Sequence, residues 1–90
     1  MNKLILNGKE LITIEKLHSI LKRDLKLPEY YGENLDALWD CLSGWIDLPL
    51  EIEWIDFKIS KKLIGGYADD LLQLFYEAQE EFEGFSIIIK

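Results

Sequence analysis

The spacing of apolar and polar positions changes period several times along the chain and predicts a different element at each change. Residues 3–6, Lys-Leu-Ile-Leu, are a short apolar run closed by Asn7-Gly8, and they read as a first strand. Asn-Gly also suits a hairpin turn, with residues 9–13 as the returning strand. The pattern turns helical at Thr13, so the hairpin ranks second. From there Ile14, Leu17, Leu21 and Leu25 recur at helical spacing. Thr13 is placed to cap that helix, and Pro28 ends it, because the residue before a proline is pushed out of the α region. His18, the one histidine, flanks the apolar stripe and is expected at the surface or half-packed.

A second, shorter helix follows. Asn34 is a good N-cap, since its side-chain oxygen can accept a hydrogen bond from a free N–H of the first turn. Gly44 suits the residue just past the end, where a left-handed conformation closes the last turn. Steps of ~100° around the axis put Leu35, Leu38, Cys41, Leu42 and Trp45 in one sector, the expected buried face. Asp36, Trp39, Asp40 and Ser43 fall opposite.

Residues 46–49 form a turn, and residues 50–54 alternate with period two, as a strand with one buried face does. Glu51 and Glu53 mark that strand as an edge or as exposed on one face. Residues 55–63 carry apolar positions without a clean period and read as a short helix or an irregular segment. Gly65-Gly66 breaks the chain before the longest helix, residues 67–82, striped by Ala68, Leu71, Leu72, Phe75, Ala78 and Phe82. The β-branched run at residues 85–90 reads as a buried last strand. Helical connections between successive strands imply an α/β fold, a small three-stranded parallel sheet with three to four packed helices and right-handed crossovers.

Composition narrows the function. Ninety residues, 49% of them hydrophobic, suffice for one domain spanning residues 1–90 with a core of its own. The formal net charge of −7 argues against direct nucleic-acid binding and for a basic partner or plain solubility. The lone Cys41 excludes an internal disulfide and reads as a buried thiol. The first residues are too short and polar for a secretory signal, and no apolar run approaches the roughly 20 residues that span a bilayer. A soluble, cytoplasmic protein is expected, with no membrane partner.

The inventory is poor for an enzyme. No metal-ligand spacing and no phosphate loop are present, so no cofactor and no metal are expected. Ser43 and Ser60 have no base in any recognisable motif. Asp36 and Asp40 have Cβ atoms ~5–6 Å apart, near a separation that two-carboxylate glycosidases use. They would, however, project from a convex helix, whereas catalytic sites are concave.

Binding fits the same residues better. Asp36 and Asp40 repel each other at i and i+4. Asp36 at least meets the positive end of the helix dipole, but Asp40 lies near the negative end. A locally unfavourable pair kept beside an exposed tryptophan marks a functional face. Tyr30, Tyr31, Trp39 and Trp45 are anchor-type residues interleaved with Glu29, Glu33, Asp36, Asp40 and Asp47. Of these, Tyr31 and Trp45 read as core, and Glu29 and Glu33 as ordinary surface charge. Tyr30, Asp36, Trp39 and Asp40 remain as the candidate contact set.

The stretch Pro28-Glu-Tyr-Tyr-Gly-Glu-Asn-Leu-Asp-Ala-Leu-Trp-Asp-Cys-Leu-Ser-Gly-Trp45 resembles the signature of the barstar family, intracellular inhibitors of extracellular ribonucleases of the barnase type. The likeness continues through residues 50–54, 74–78 and the last strand. It implies a three-stranded parallel sheet with packed helices, and a 1:1 complex in which the second helix and the loop before it plug the basic active site. By resemblance, Asp40 stands where an RNA phosphate would sit, and Tyr30 packs on the catalytic histidine. Asp36, Trp39 and Glu77 meet a further arginine and its loop, while Asn34, Ser43, Gly44 and Trp45 complete the contact. Ser43 replaces a threonine of the family pattern, and Glu83 a cysteine. The family's proline matching Pro49 is cis behind a tyrosine, and here Leu48 takes that tyrosine's place.

Two readings follow. The first is an inhibitor of a basic barnase-type ribonuclease, monomeric when free and without chemistry of its own. The second is an acidic binding module on the same fold for another basic nuclease or a nucleic-acid-binding protein.

Overall fold

The computed structural model describes residues 2–90. In chain order it contains β1 (Asn2–Asn7), a 3-10 turn (Gly8–Glu10), α1 (Ile14–Asp24), α2 (Leu35–Gly44), β2 (Leu50–Ile55), α3 (Phe57–Ile64), α4 (Gly66–Glu81) and β3 (Phe85–Ile89). The strands form one parallel sheet in the order β1-β2-β3. This is the α/β fold the periodicities predict, and the segment after β2 resolves as a helix. Asn7-Gly8 opens a 3-10 turn and not a hairpin.

Register accounts for the layers. Leu4, Ile52 and Ile87 are aligned across the three strands, as are Leu6, Trp54 and Ile89. Their side chains point to the helix-covered face, where Leu4, Leu6, Leu50, Ile52, Trp54, Phe85 and Ile87 join the core with Leu17, Leu21, Leu38, Leu71 and Phe75. Trp54 is the hub. Its ring meets Phe57 at 4.8 Å and Phe75 at 6.2 Å, and its Nε1–H donates to Ser60 Oγ at 3.0 Å.

The other face of the sheet is uncovered, which corrects one expectation and decides another, since the glutamates of residues 50–54 mark an open face of the strand and not an edge. β3 is not buried on both sides, because Ile88 and the aligned Ile5 of β1 reach solvent. β2 is the central strand and not an edge. Its Glu53 is only 8% exposed. It is matched by Lys3 of β1, with Nζ–Oε2 at 2.9 Å, and by Lys90 just past β3. Those hydrogen bonds, Lys90 first and then Lys3, hold the Glu53 carboxyl below its ordinary range. The N–H of Ile87 is satisfied by a side chain, donating to Gln79 Oε1 at 2.9 Å.

Local signals explain most element ends. Thr13 caps α1, its Oγ1 accepting from Lys16 N–H at 3.0 Å. The helix stops at Asp24, four residues before Pro28, and Lys26 turns to φ 53°. α3 starts behind Asp56, itself at φ 54° and supplying no side-chain cap, so no sequence signal marked that start. The Leu48-Pro49 bond is cis.

Gly8 is required by close approach. A Cβ there would lie 2.2 Å from the Asp56 carbonyl oxygen and 2.5 Å from Ser60 Oγ. Gly8→Ala should therefore push the 3-10 turn off α3 and lower stability by about 1–3 kcal/mol, the usual range for overpacking. Urea melts against wild type measure it, and an unchanged midpoint would contradict the contact. Glu53→Gln should lower the urea midpoint at neutral pH. A depressed carboxyl stabilises the fold above its ordinary pKa and loses that contribution as pH falls, so the variant should also show a shallower acid limb in melts across pH.

Candidate functional site

The candidate site is built from the loop at residues 25–34, α2 and one face of α4. Asn34 caps α2 as expected, its Oδ1 accepting from Ala37 N–H at 2.8 Å while its Nδ2 donates to the Gly32 carbonyl at 3.3 Å. Glu33 before it sits at φ 53°. Leu38, Cys41 and Leu42 are the buried side of the helix, which fixes where its remaining residues point. Burial first, and the nearby Asp40 charge second, push the Cys41 thiol up, so Cys41 stays a protonated core residue.

The far end of α2 departs from expectation. Gly44 is the last helical residue and is not left-handed. The cap is Trp45, whose N–H donates to the Cys41 carbonyl at 2.8 Å. Trp45 is also 49% exposed rather than core. Its Nε1–H donates to the Lys26 carbonyl at 3.0 Å, and Tyr30 stands edge-on to its ring at 6.4 Å. Tyr30 is 80% exposed, so this pair forms an aromatic step at the mouth of the loop. Tyr31, by contrast, is buried, as the sequence reading has it.

His18 is where that reading fails most. It is fully buried, with Nδ1 2.6 Å from Tyr31 Oη and Nε2 2.7 Å from Tyr67 Oη. Desolvation lowers its pKa, with Glu33 and then Glu15 opposing.

On α2, Asp36, Asp40 and Ser43 face solvent, and Ser43 Oγ donates to the Asp40 carbonyl at 3.0 Å. Trp39 is half-buried, resting on Phe82 just past α4 at 5.1 Å. Between the two helices runs an open groove of about 280 Å³, floored by Leu35 and Leu74 and walled by Asp36, Trp39, Asp70, Gln73 and Glu77. The structure thus brings Asp36, Trp39 and Glu77 together and leaves Asp40 and Ser43 outside that groove, farther along α2. Tyr30 and Trp45 lie beyond, at the loop. Asp70 and Gln73 were not anticipated, although Asp70, Gln73 and Glu77 follow one another at helical spacing on one face of α4.

Among the described residues, no ion pair includes Asp36, Asp40, Asp70 or Glu77. Gln73 Nε2 approaches Glu77 Oε1 at 3.5 Å, a weak contact. Also among the described residues, no group of three or more His, Cys, Asp or Glu side chains could hold a metal ion, and no helix is long and apolar enough to cross a membrane. The arrangement is an acidic, aromatic-edged surface suited to cationic side chains.

Comparison with known proteins identifies the family. A family model described as "Barstar (barnase inhibitor)" matches residues 1–90. The chain belongs to the barstar family. A relative from Bacillus subtilis (strain 168), named "Putative ribonuclease inhibitor YrdF", is 52% identical over 91 residues, with all of both chains covered. The three-stranded parallel sheet expected of a barstar-family member is the one observed. The cis bond before Pro49 is present although Leu48 stands in place of the family's tyrosine.

The unpaired acidic residues bear on stability. Among the described residues Asp40 has no ion-pair partner, and it lies one turn from Asp36 towards the negative end of α2, so Asp40→Ala should stabilise the free protein by roughly 0.5–1.5 kcal/mol before solvent screening. Asp36→Ala relieves the same repulsion but loses a favourable first-turn charge, so its change should be near zero. Urea melts of the unbound protein test both, and a lower midpoint for Asp40→Ala would give Asp40 a structural role.

Proposed function

We propose that this chain inhibits a basic ribonuclease of the barnase type in a 1:1 complex, covering the substrate cleft with α2 and the loop before it. Family membership and the relative's printed name support a ribonuclease-inhibitor role. The observation that carries the binding mode is the exposed α2 face, where Asp36 and Asp40 point to solvent with no ion-pair partner among the described residues. A cleft built to hold RNA phosphates supplies those cations.

In this reading the Asp40 carboxylate takes the place of a phosphate, and Tyr30 packs on the catalytic histidine from its step beside Trp45. Asp36, Trp39 and Glu77 receive a further arginine, while Asn34, Ser43, Gly44 and Trp45 complete the contact. Inhibition is by occlusion, with no bond made or broken. Opposite net charge speeds the encounter, and salt screens it because the Debye length falls to ~3 Å at 1 M.

Titrating a barnase-type ribonuclease with the protein should abolish cleavage at one equivalent, and no inhibition at micromolar concentration would refute the proposal. Association rates by stopped flow should fall steeply with added salt. In an alanine scan of the complex, Asp40→Ala should be the costliest truncation, ahead of Asp36→Ala and Glu77→Ala and also of Trp39→Phe. Removing a carboxylate shared by several buried donors leaves them all unpaired. A ranking with Asp40 below Glu77 would overturn the role given to it.

A further inference from the structure

The loop that presents Tyr30 has little regular structure to hold it. Residues 25–34 lie between α1 and α2, and Lys26 and Glu33 both take left-handed conformations. Apart from the Lys26 carbonyl, which accepts from Trp45 Nε1–H, its backbone bonds are local, such as Tyr31 N–H to the Pro28 carbonyl at 2.9 Å. Leu27, Pro28 and Tyr31 are its buried side chains, and of these Tyr31, one residue from Tyr30, carries the polar anchor, its phenol ending on His18. The opposite ring nitrogen of His18 meets Tyr67 in the first turn of α4. One buried imidazole therefore bridges α1, the presenting loop and the helix that carries Glu77.

We propose that His18 is a positioning residue of the binding site, gripping Tyr31 and Tyr67 in its neutral form so that the loop and Tyr30 are held for the partner, and loosening that grip when it is protonated. The proposal deepens the inhibitor reading, since it names an acid-sensitive element of that same surface. The chemistry is one of donors and acceptors. A neutral imidazole has one N–H and one bare nitrogen, so one phenol accepts from it and the other donates to it. An imidazolium donates at both nitrogens, so the phenol that had been donating must turn its O–H elsewhere.

The groups facing this bridge are few. From its own helix Glu15 favours the charged ring, and from the loop Glu33 does so more strongly, but desolvation outweighs both. Tyr31 is held neutral by burial, with Cys41, Tyr67 and Glu33 adding to that, and Tyr67 by burial and Asp70. Neither phenol will supply a compensating charge. The sign follows from linkage. With the folded-state pKa below the ordinary ~6.5, the unfolded or loosened state binds more protons, so the grip is complete above the ordinary value and is lost as pH falls from there through the lower folded-state value.

The test begins with the full chain alone, by NMR from about pH 8 to 5. The His18 ring signals should titrate below the ordinary value, and the backbone amides of residues 29–33 should move with the same midpoint. In Tyr31→Phe, which keeps the ring and loses the hydroxyl, those amides should stop following His18. Loop amides that stay still while His18 titrates, a ring that never titrates in this range, or an unchanged loop response in Tyr31→Phe would each overturn the proposal. The second arm measures dissociation from a barnase-type ribonuclease at pH 7.5. Tyr31→Phe should leave about fivefold faster than wild type, the rate equivalent of one hydrogen bond, with association unchanged. Equal dissociation rates would also overturn it. Should the wild-type chain not bind the ribonuclease at all, the inhibitor reading fails, and the NMR arm still decides whether His18 positions the loop.

Discussion

Strand order equal to chain order constrains everything else in this molecule. When β1, β2 and β3 lie side by side in sequence and both crossovers take the usual right hand, both sets of helices must pack on the same face of the sheet. The burial pattern agrees, with Leu4, Ile52 and Ile87 inside and Ile5 and Ile88 outside. Parallel sheets are normally covered on both faces. Here the helices are crowded onto one side, so α2 and α4 become neighbours and enclose the groove between Asp36 and Glu77. The candidate site is in that sense a by-product of topology.

Within that frame, α2 serves two masters. Its buried side, Leu38, Cys41 and Leu42, and its cap at Asn34 obey the ordinary rules of helix stability. Its exposed side breaks them with two carboxylates a turn apart and none of the basic residues that suit a C-terminal turn. Such conflicts are expected where a surface is selected for something other than folding. The aromatic residues divide in the same way. Trp39, half-buried, rests on Phe82, and Trp45 uses its indole N–H to fix Lys26 while keeping a free face.

How much was legible in the sequence depended on the range of the interactions. Asn34 and Thr13 announced their helices because a cap acts over three residues. Period-two spacing located β2, apolar and β-branched runs located β1 and β3, and helical spacing located α4, all local signals as well. His18 was misplaced because its partners are 13 and 49 residues away, and nothing local shows that a histidine will find two phenols. Glu53 looked like a surface residue because the lysines that make its burial tolerable come from the two neighbouring strands' ends. Trp45 lay on the apolar sector of an ideal helix, but the chain leaves α2 at that residue, and the angular argument stops where the helix does. The pairing of Tyr30 with Trp45 and the contribution of Asp70 are likewise tertiary facts. The face of α2 alone was readable in one dimension, since both its cap and its charges are set by neighbours within a few positions.

The bare face of the sheet has one more consequence. Ile5 and Ile88 are exposed on either side of β2, an invitation for another sheet to stack. Between them lies Glu53, linked to Lys3 and Lys90, so any layer laid flat on this face must strip water from both ammonium groups. Lys3 is also within 3.6 Å of Glu51, which extends the charged strip along the central strand. Desolvating such a strip costs several kcal/mol per ion unless the incoming surface is matched to it. The same two lysines that let a carboxylate sit in mid-sheet therefore oppose the docking of a flat apolar layer on the open side of the sheet.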